Sequence, residues 1–267
     1  MSGSLETLTQ ALLAAAQRAG AEAADALAVE GHALSIDVRA GALEQAERSE
    51  GTDLGLRVLV GRRQACVSAS DTSAQTIETL AERAVAMARE APEDPYVGLA
   101  DPADLARQTD TDHLELADPA AEPAPAALQE AALAAEAAAL GVQGVSQVQS
   151  ASASYSSRAM HMAATNGFSA GYRRTDTGLY CTAIAGEGAK MQRDGDGDYR
   201  IFAADLRAPD DIGQRAGERA VAQLGARKPP TGAYPVLFDE RISSSLIGHL
   251  LVAANGSSVA RGSSWLL

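Results

Sequence analysis

Residues 5–19 carry an apolar side chain at every third or fourth position, and Gly20 follows the last of them. This spacing is typical of an amphipathic helix, and glycine is the usual residue just past a helix end. The pattern therefore predicts a first helix over residues 5–19, with this apolar stripe: Leu5, Leu8, Leu12, Ala16.

Alternating Val, Ile and Leu follow in "DALAVEGHALSIDVRAG" and "LGLRVLVGRRQACVSASD", which glycines interrupt. Alternation with glycine breaks predicts antiparallel strands joined by tight turns. A second helical pattern then covers residues 71–91, where Asp71, Thr72 or Ser73 could be the N-cap. Residues 1–92 are thus predicted to form an N-terminal helix, antiparallel sheet and helix.

The segment 93–125 is rich in Pro, Asp and Glu, which favours a linker. Beyond it, the Ala-rich run 126–140 predicts a helix that ends at Gly141. Alternation returns over 145–205 and predicts a β-meander, followed by a helix over 209–225. The chain is therefore predicted to be α+β, with a central β-rich domain at 126–228.

The last stretch, 229–267, is predicted to begin a further, truncated C-terminal domain. It contains "AYPVLFDE", which reads as a short strand, and "SSSLIGHLLVAAN", which reads as a helix. The apolar ending "SSWLL" predicts exposed apolar surface, and with it self-association or a poorly ordered terminus.

Composition and charge narrow the function. The formal net charge is −13, which argues against a nucleic-acid partner because phosphate binding depends on Lys and Arg. No apolar run reaches membrane-spanning length and no signal peptide is evident, so we expect a cytoplasmic protein without a membrane partner. Cys66 and Cys181 lie far apart, so neither a disulfide scaffold nor a zinc knuckle is expected.

The run "DGDGDYRIFAAD" places Asp194, Asp196 and Asp198 at ligand positions of a calcium loop. Tyr199 stands where that loop needs glycine, and Asp205 where it needs a long bidentate carboxylate. A solvated Asp-Gly hairpin turn is therefore the favoured interpretation, with calcium binding at 194–205 as the alternative.

His249 is the other candidate metal ligand. A zinc helix needs a second histidine one turn away and a glutamate beside the first, whereas "LIGHLLVAANG" offers neither. His249 is thus interpreted as a structural, partly buried histidine. The remaining histidines, His32, His113 and His161, are also interpreted as structural, and no catalytic or cofactor-binding residue is predicted.

Several stretches together resemble the TldD/PmbA family, known as modulators of DNA gyrase and as metallopeptidases. The more specific matches are the "MQRD" segment and the final motif "GAYPVLFDERISSSLIGHLLVAANGSSVARGSSWL". The first unit contributes "GLRVLVGRRQACVSASD" and "EDPYVGLADPADLA", so the resemblance spans nearly the whole chain.

The resemblance implies a two-branch family. The TldD-type branch carries an H-E-x-x-x-H zinc helix with a later cysteine ligand, and it pairs with a PmbA (TldE) subunit that lacks the motif. Since "LIGHLLVAANG" stands where that helix would fall, the chain resembles the PmbA branch. The resemblance also implies a longer C-terminal part than this chain has.

The function expected from this resemblance is that of a PmbA/TldE-type subunit. It would form a heterodimer with a TldD-like metallopeptidase subunit that holds the zinc and cleaves peptides or unfolded polypeptides, and this chain would have no cofactor of its own. The alternative is a stand-alone regulatory or binding protein, either a gyrase modulator or a calcium-binding module.

Overall fold

The structure, a computed structural model, describes residues 4–266. The chain divides into two compact units, residues 1–225 and 226–267. The first unit contains these elements: α1 Leu5–Ala19, β1 Ala23–Arg39, β2 Ala42–Val60, β3 Arg63–Ala69, α2 Ala74–Glu90, α3 Pro125–Leu140, β4 Val145–Ala164, β5 Ser169–Ala185, β6 Gln192–Arg200, α4 Pro209–Ala222. The second contains α5 Glu240–Ala253 and α6 Gly256–Ala260.

The six strands form one antiparallel sheet in the order β3-β2-β1-β4-β5-β6. The α+β class is therefore confirmed. Strands that the sequence assigns to two successive units lie in this one sheet, because β1 pairs with β4 from Asp25↔Ala164 to Val38↔Ala151.

Both pairs of helices cover the same face of the sheet. Successive side chains of a strand point to opposite faces, so residues of equal parity on β1 share a face. The first even-numbered residues of β1 pack with α1 and α2, and the last ones pack with α3 and α4. One sheet face therefore carries two separate hydrophobic cores. The β1 residues in the core under α1 and α2 are Ala24, Ala26 and Ala28, and those in the core under α3 and α4 are Leu34, Ile36 and Val38.

Local signals fix the helix ends. Ser4 caps α1 by accepting a hydrogen bond from the backbone N–H of Thr7, and Gly20 ends it with φ of 99°. Ser73, one of the three candidate caps, accepts a bond from the N–H of Thr76 at the start of α2. The predicted helices are thus confirmed to within a few residues.

Helices α3 and α4 approach each other closely because small residues meet at their contact. A Cβ atom added to Gly213 would lie 2.0 Å from the carbonyl oxygen of Ala135. Only glycine therefore permits this crossing, which holds α4 against the sheet.

One predicted strand is absent from the structure. Residues 233–239 form no regular element, although their sequence, "AYPVLFD", is rich in β-formers. A strand needs a neighbour to satisfy its backbone groups, and the described part of the chain pairs no strand with this segment. Within residues 4–266, no helix is both long and apolar enough to cross a membrane.

Candidate functional site

A polar cleft separates the two hydrophobic cores on the helix-covered face. Between Ala28 and Leu34, β1 places Glu30 and His32 on the face that is otherwise apolar. The cleft has a volume of about 550 Å³ and continues across the neighbouring strands, where its lining includes Arg48, Glu50, Thr52, Ser157 and Arg173. Water-accessible charges therefore occupy the middle of the sheet.

The segment 91–124, which we call the strap, reaches this cleft through Glu122. The guanidinium of Arg48 donates a hydrogen bond to Glu122, and His32 Nε2 lies 3.0 Å from its Oε2. This bond from Arg48 is the largest cause that lowers the pKa of the Glu122 carboxyl. Glu122 therefore stays charged through the neutral range and ties the strap to β1 and β2.

The strap is also attached at other places along its length. Asn166 Nδ2 donates to the carbonyl oxygen of Ala100 at 2.9 Å, and the N–H of Asp118 donates to Thr175 Oγ1 at 2.7 Å. Asp118 in turn accepts from the N–H of Ala203 at 2.9 Å. The region predicted as a linker is thus fixed by hydrogen bonds along the sheet.

A second cleft lies on the opposite face of β1 and β2. It has a volume of about 450 Å³, and its lining includes Val29, Ser49, Gly51, Asp53 and Arg158. Gly31, which pairs with Gly51, lines both clefts. A Cβ atom at Gly31 would lie 2.9 Å from Arg158 Cγ, so glycine there lets the Arg158 side chain lie close over the strand.

The aspartates of the calcium-loop pattern lie on a strand, so the expected hairpin turn is wrong. They occupy alternate positions of β6, and the intervening glycines are covered by the ring of Tyr180. A Cβ at Gly197 would lie 2.3 Å from Tyr180 Cδ2. This packing across the strands accommodates a sequence whose local preference is for turns.

Asp196 and Asp198 face α4 and pair with arginines. Arg207 Nη2 lies 2.8 Å from Asp196 Oδ2, and Arg219 Nη1 donates to Asp196 Oδ1. Arg200 Nη2 lies 3.1 Å from Asp198 Oδ1. The backbone N–H of Arg207 and the Arg200 guanidinium outweigh burial and lower the pKa of Asp198. Asp196 and Asp198 therefore act as charged anchors for α4 and the loop before it.

The Asp194 carboxylate is separately bonded to α4 and to its own strand: Gln223 Nε2 donates to its Oδ2 at 2.6 Å, and the N–H of Gly195 to its Oδ1 at 2.7 Å. Among the described residues, no group of three or more His, Cys, Asp and Glu side chains is placed to hold a metal.

His249 lies on α5, as predicted, but it is exposed rather than partly buried. The reason is that α5 buries only Ala253. One turn beyond His249 stand Val252 and Ala253, neither of which can bind a metal. The helix therefore presents a lone imidazole.

The other histidines also lie apart. His161 bridges α1 and the β4–β5 hairpin, with Nδ1 2.8 Å from Thr9 Oγ1 and Nε2 3.3 Å from Ser169 Oγ. His113 is exposed in a short 3-10 turn of the strap. Cys66 is exposed, Cys181 is buried, and both are free thiols.

Two family domains match the chain in the order that the fold presents them. Residues 24–88 match PmbA/TldA metallopeptidase domain 1, and residues 115–224 match the PmbA/TldA metallopeptidase central domain. The chain belongs to the PmbA/TldD family. Domain 1 covers β1 to α2, and the central domain covers the end of the strap through α4.

Curated relatives of this chain are named metalloproteases. The chain is 30% identical over 234 residues to "Metalloprotease PmbA" of Escherichia coli O157:H7. The matched residues make up 88% of this chain and 52% of that protein. It is 27% identical over 234 residues to a "Metalloprotease PmbA homolog" of Haemophilus influenzae, covering 88% and 51%. The chain thus spans about half the length of the curated relatives it matches.

Solved structures share the fold. A crystal structure from Bacteroides thetaiotaomicron, described as a modulator of DNA gyrase, superposes with a TM-score of 0.90 at 26% identity, over 98% of this chain and 60% of that one. TldE from Thermococcus kodakarensis superposes with a TM-score of 0.75 at 16% identity, over 97% and 57%. The second likeness is one of fold alone.

Proposed function

We propose that this chain is the PmbA/TldE-type subunit of a TldD/PmbA metallopeptidase complex, without a zinc site of its own. A TldD-type partner would carry the zinc and cleave peptides or unfolded polypeptides. Since both cysteines are free thiols, the proposal includes a cytoplasmic location.

One observation carries this proposal. The chain belongs to a metallopeptidase family, yet its helix α5 offers one histidine where a zinc helix offers two histidines and a glutamate. A protein zinc site takes three or four ligands, and the described residues group no such set. The proposal therefore places the zinc chemistry on another subunit.

The second unit supports association with a partner. It exposes large apolar side chains, among them Leu237 at 98%, Val252 at 71% and Trp265 at 71%. Surfaces of this kind mark protein contacts. A TldD-type subunit is the proposed occupant, and self-association of the isolated chain is expected in its absence.

Reconstitution tests the proposal. The chain and a TldD-type subunit are purified separately, and hydrolysis of an unstructured peptide is measured for each alone and for the mixture. We expect hydrolysis only in the mixture, inhibition by a chelator, and a mixed complex by light scattering. A chain that binds stoichiometric zinc, or that hydrolyses the peptide alone, would contradict the proposal.

Modulation of DNA gyrase is a second candidate function. The observation that favours it is the description of the Bacteroides thetaiotaomicron neighbour as a gyrase modulator. A supercoiling assay with purified gyrase tests it: a change in supercoiling rate that scales with added chain supports it, and an unchanged rate excludes it.

A further inference from the structure

Strand β2 is longer than its outer neighbour. Its inner side pairs with β1 from Ala42 to Leu59, whereas its outer side pairs with β3 only from Leu54 to Val60. Among the described residues, no strand therefore occupies the outer side of residues 42–53. At ~3.3 Å per residue this free edge is roughly 40 Å long.

The register shows which residues direct their backbone groups to this edge. The turn between β2 and β3 has two residues, Gly61 and Arg62, so Val60 and Arg63 form its closing hydrogen-bonded pair. Hydrogen-bonded positions alternate along a strand, so even-numbered residues of β2 face outward. The N–H and C=O groups of Ala46, Arg48, Glu50 and Thr52 hence point to the free edge.

Both clefts border the same stretch of β2. Arg48 and Thr52 line the cleft on the helix-covered face, Ser49 and Asp53 line the one on the opposite face, and Glu50 lines both. A strand added to this edge would send alternate side chains toward the two faces, where the clefts begin. Strand addition of this kind takes its affinity from main-chain hydrogen bonds and its specificity from such clefts.

The edge is acidic. Residues 42–53 contain Glu44, Glu47, Glu50 and Asp53 against the single cation Arg48, and Arg48 is already paired with Glu50 and Glu122. Residues 42–50 are also all exposed. A second copy of this edge would bring like charges together, whereas a basic segment would meet complementary charge along β2. The arginines that also line the clefts, Arg158 and Arg173, lie on β4 and β5, farther from this edge.

We propose that the free edge of β2 at residues 42–53 binds an extended basic peptide by strand addition, with alternate side chains entering the two clefts. The inference deepens the proposed function, because it names where this chain would hold a peptide and which charge the peptide carries. It needs no zinc-bearing partner, so it is tested on this chain alone.

Binding is measured by fluorescence anisotropy with a labelled 12-residue peptide in which Lys alternates with Thr, and with a matched peptide in which Glu replaces Lys. Ala46→Pro and Thr52→Pro each remove one outward N–H without changing the charge. Ala46→Thr and Thr52→Val are the matched controls, because they keep the N–H. We expect each proline variant to weaken binding at least about fivefold, as loss of a main-chain bond implies, and each control to stay within about twofold.

A second variant covers the case in which proline disturbs the fold, which circular dichroism reports. Glu47→Lys should weaken binding of the basic peptide and strengthen binding of the acidic peptide severalfold. Added salt should reduce both effects. Hydrogen exchange should also slow at the amides of Arg48 and Glu50 when the basic peptide is bound.

Equal binding of the two peptides, equal binding by folded proline and control variants, or unchanged exchange at these amides would overturn the inference. Peptide binding without any peptidase activity in the reconstitution would count against the subunit role alone. Activity in the mixture without binding at this edge would count against the edge alone.

Discussion

Replacing Asp196 by Asn tests how α4 is held on the sheet. The Asp196 side chain is 6% exposed and contacts Arg207 and Arg219, whose side chains are 28% and 19% exposed. Asparagine keeps the shape of aspartate but removes its charge. The variant thus removes the carboxylate charge that both arginines contact while changing packing little, and Arg207 keeps its ion pair with Asp211.

The magnitude follows from burial. Removing one partner of a fully buried ion pair costs about 3–5 kcal/mol, because the other charge stays buried and unpaired. Here the arginines are partly exposed and Arg207 still pairs with Asp211, so water and that carboxylate recover some of the loss. We therefore expect Asp196→Asn to lower the free energy of unfolding by about 2–3 kcal/mol.

Urea unfolding followed by circular dichroism measures the change. Asp176→Asn is the matched control, since Arg174 and Asp176 form an ion pair with side chains 47% and 45% exposed. Exposed pairs of this kind contribute below about 1 kcal/mol. Equal losses in the two variants would show that Asp196 does not anchor α4.

Further outcomes are expected for the glycines, the cysteines and the strap. Gly213→Ala should destabilise the protein by about 2 kcal/mol or more in urea unfolding, because its Cβ would meet the α3 backbone. The control is Gly248→Ala, whose Cβ would meet nothing within 4 Å, and it should stabilise its helix by up to about 1 kcal/mol. A thiol reagent at pH 8 should label Cys66 but not Cys181 until the chain unfolds. Burial raises the pKa of Cys181 from 9.0 to about 12. The buried neutral thiol should therefore contribute fully to the free energy of unfolding below pH 9, and this contribution should be lost as the pH rises toward 12. Glu122→Gln should speed cleavage of the strap by thermolysin severalfold, and an unchanged rate would show that this contact does not hold it.

The helices could be predicted because their signals are local. Ser73 and Gly20 lie next to the elements they end, and the apolar stripe of each helix falls within one segment. The same holds for the tight turns that join the strands. These features depend on residues close together in the chain.

The strand at Asp194–Asp198 could not be predicted in this way. Its composition favours a turn, and what makes it a strand is pairing with β5, a tyrosine on β5, and arginines on α4 and in the loop before it. Likewise, the exposure of His249 depends on what packs against α5, which its own sequence does not reveal.

The polar cleft has a signal in the sequence. Glu30 and His32 interrupt an alternation that is apolar at Ala28 and again at Leu34. What local sequence could not supply is the strap, since Glu122 reaches His32 across 90 residues of chain.

As the proposed PmbA/TldE-type subunit, this chain would support hydrolysis without holding the zinc. The most direct measurement titrates the purified, metal-analysed chain into a fixed amount of a TldD-type subunit and follows the rate of peptide hydrolysis. If the proposed function holds, the chain is zinc-free and inactive alone, and the rate rises and saturates at a fixed ratio of the two subunits. Zinc bound stoichiometrically to this chain, or a rate that the chain does not alter, would contradict it.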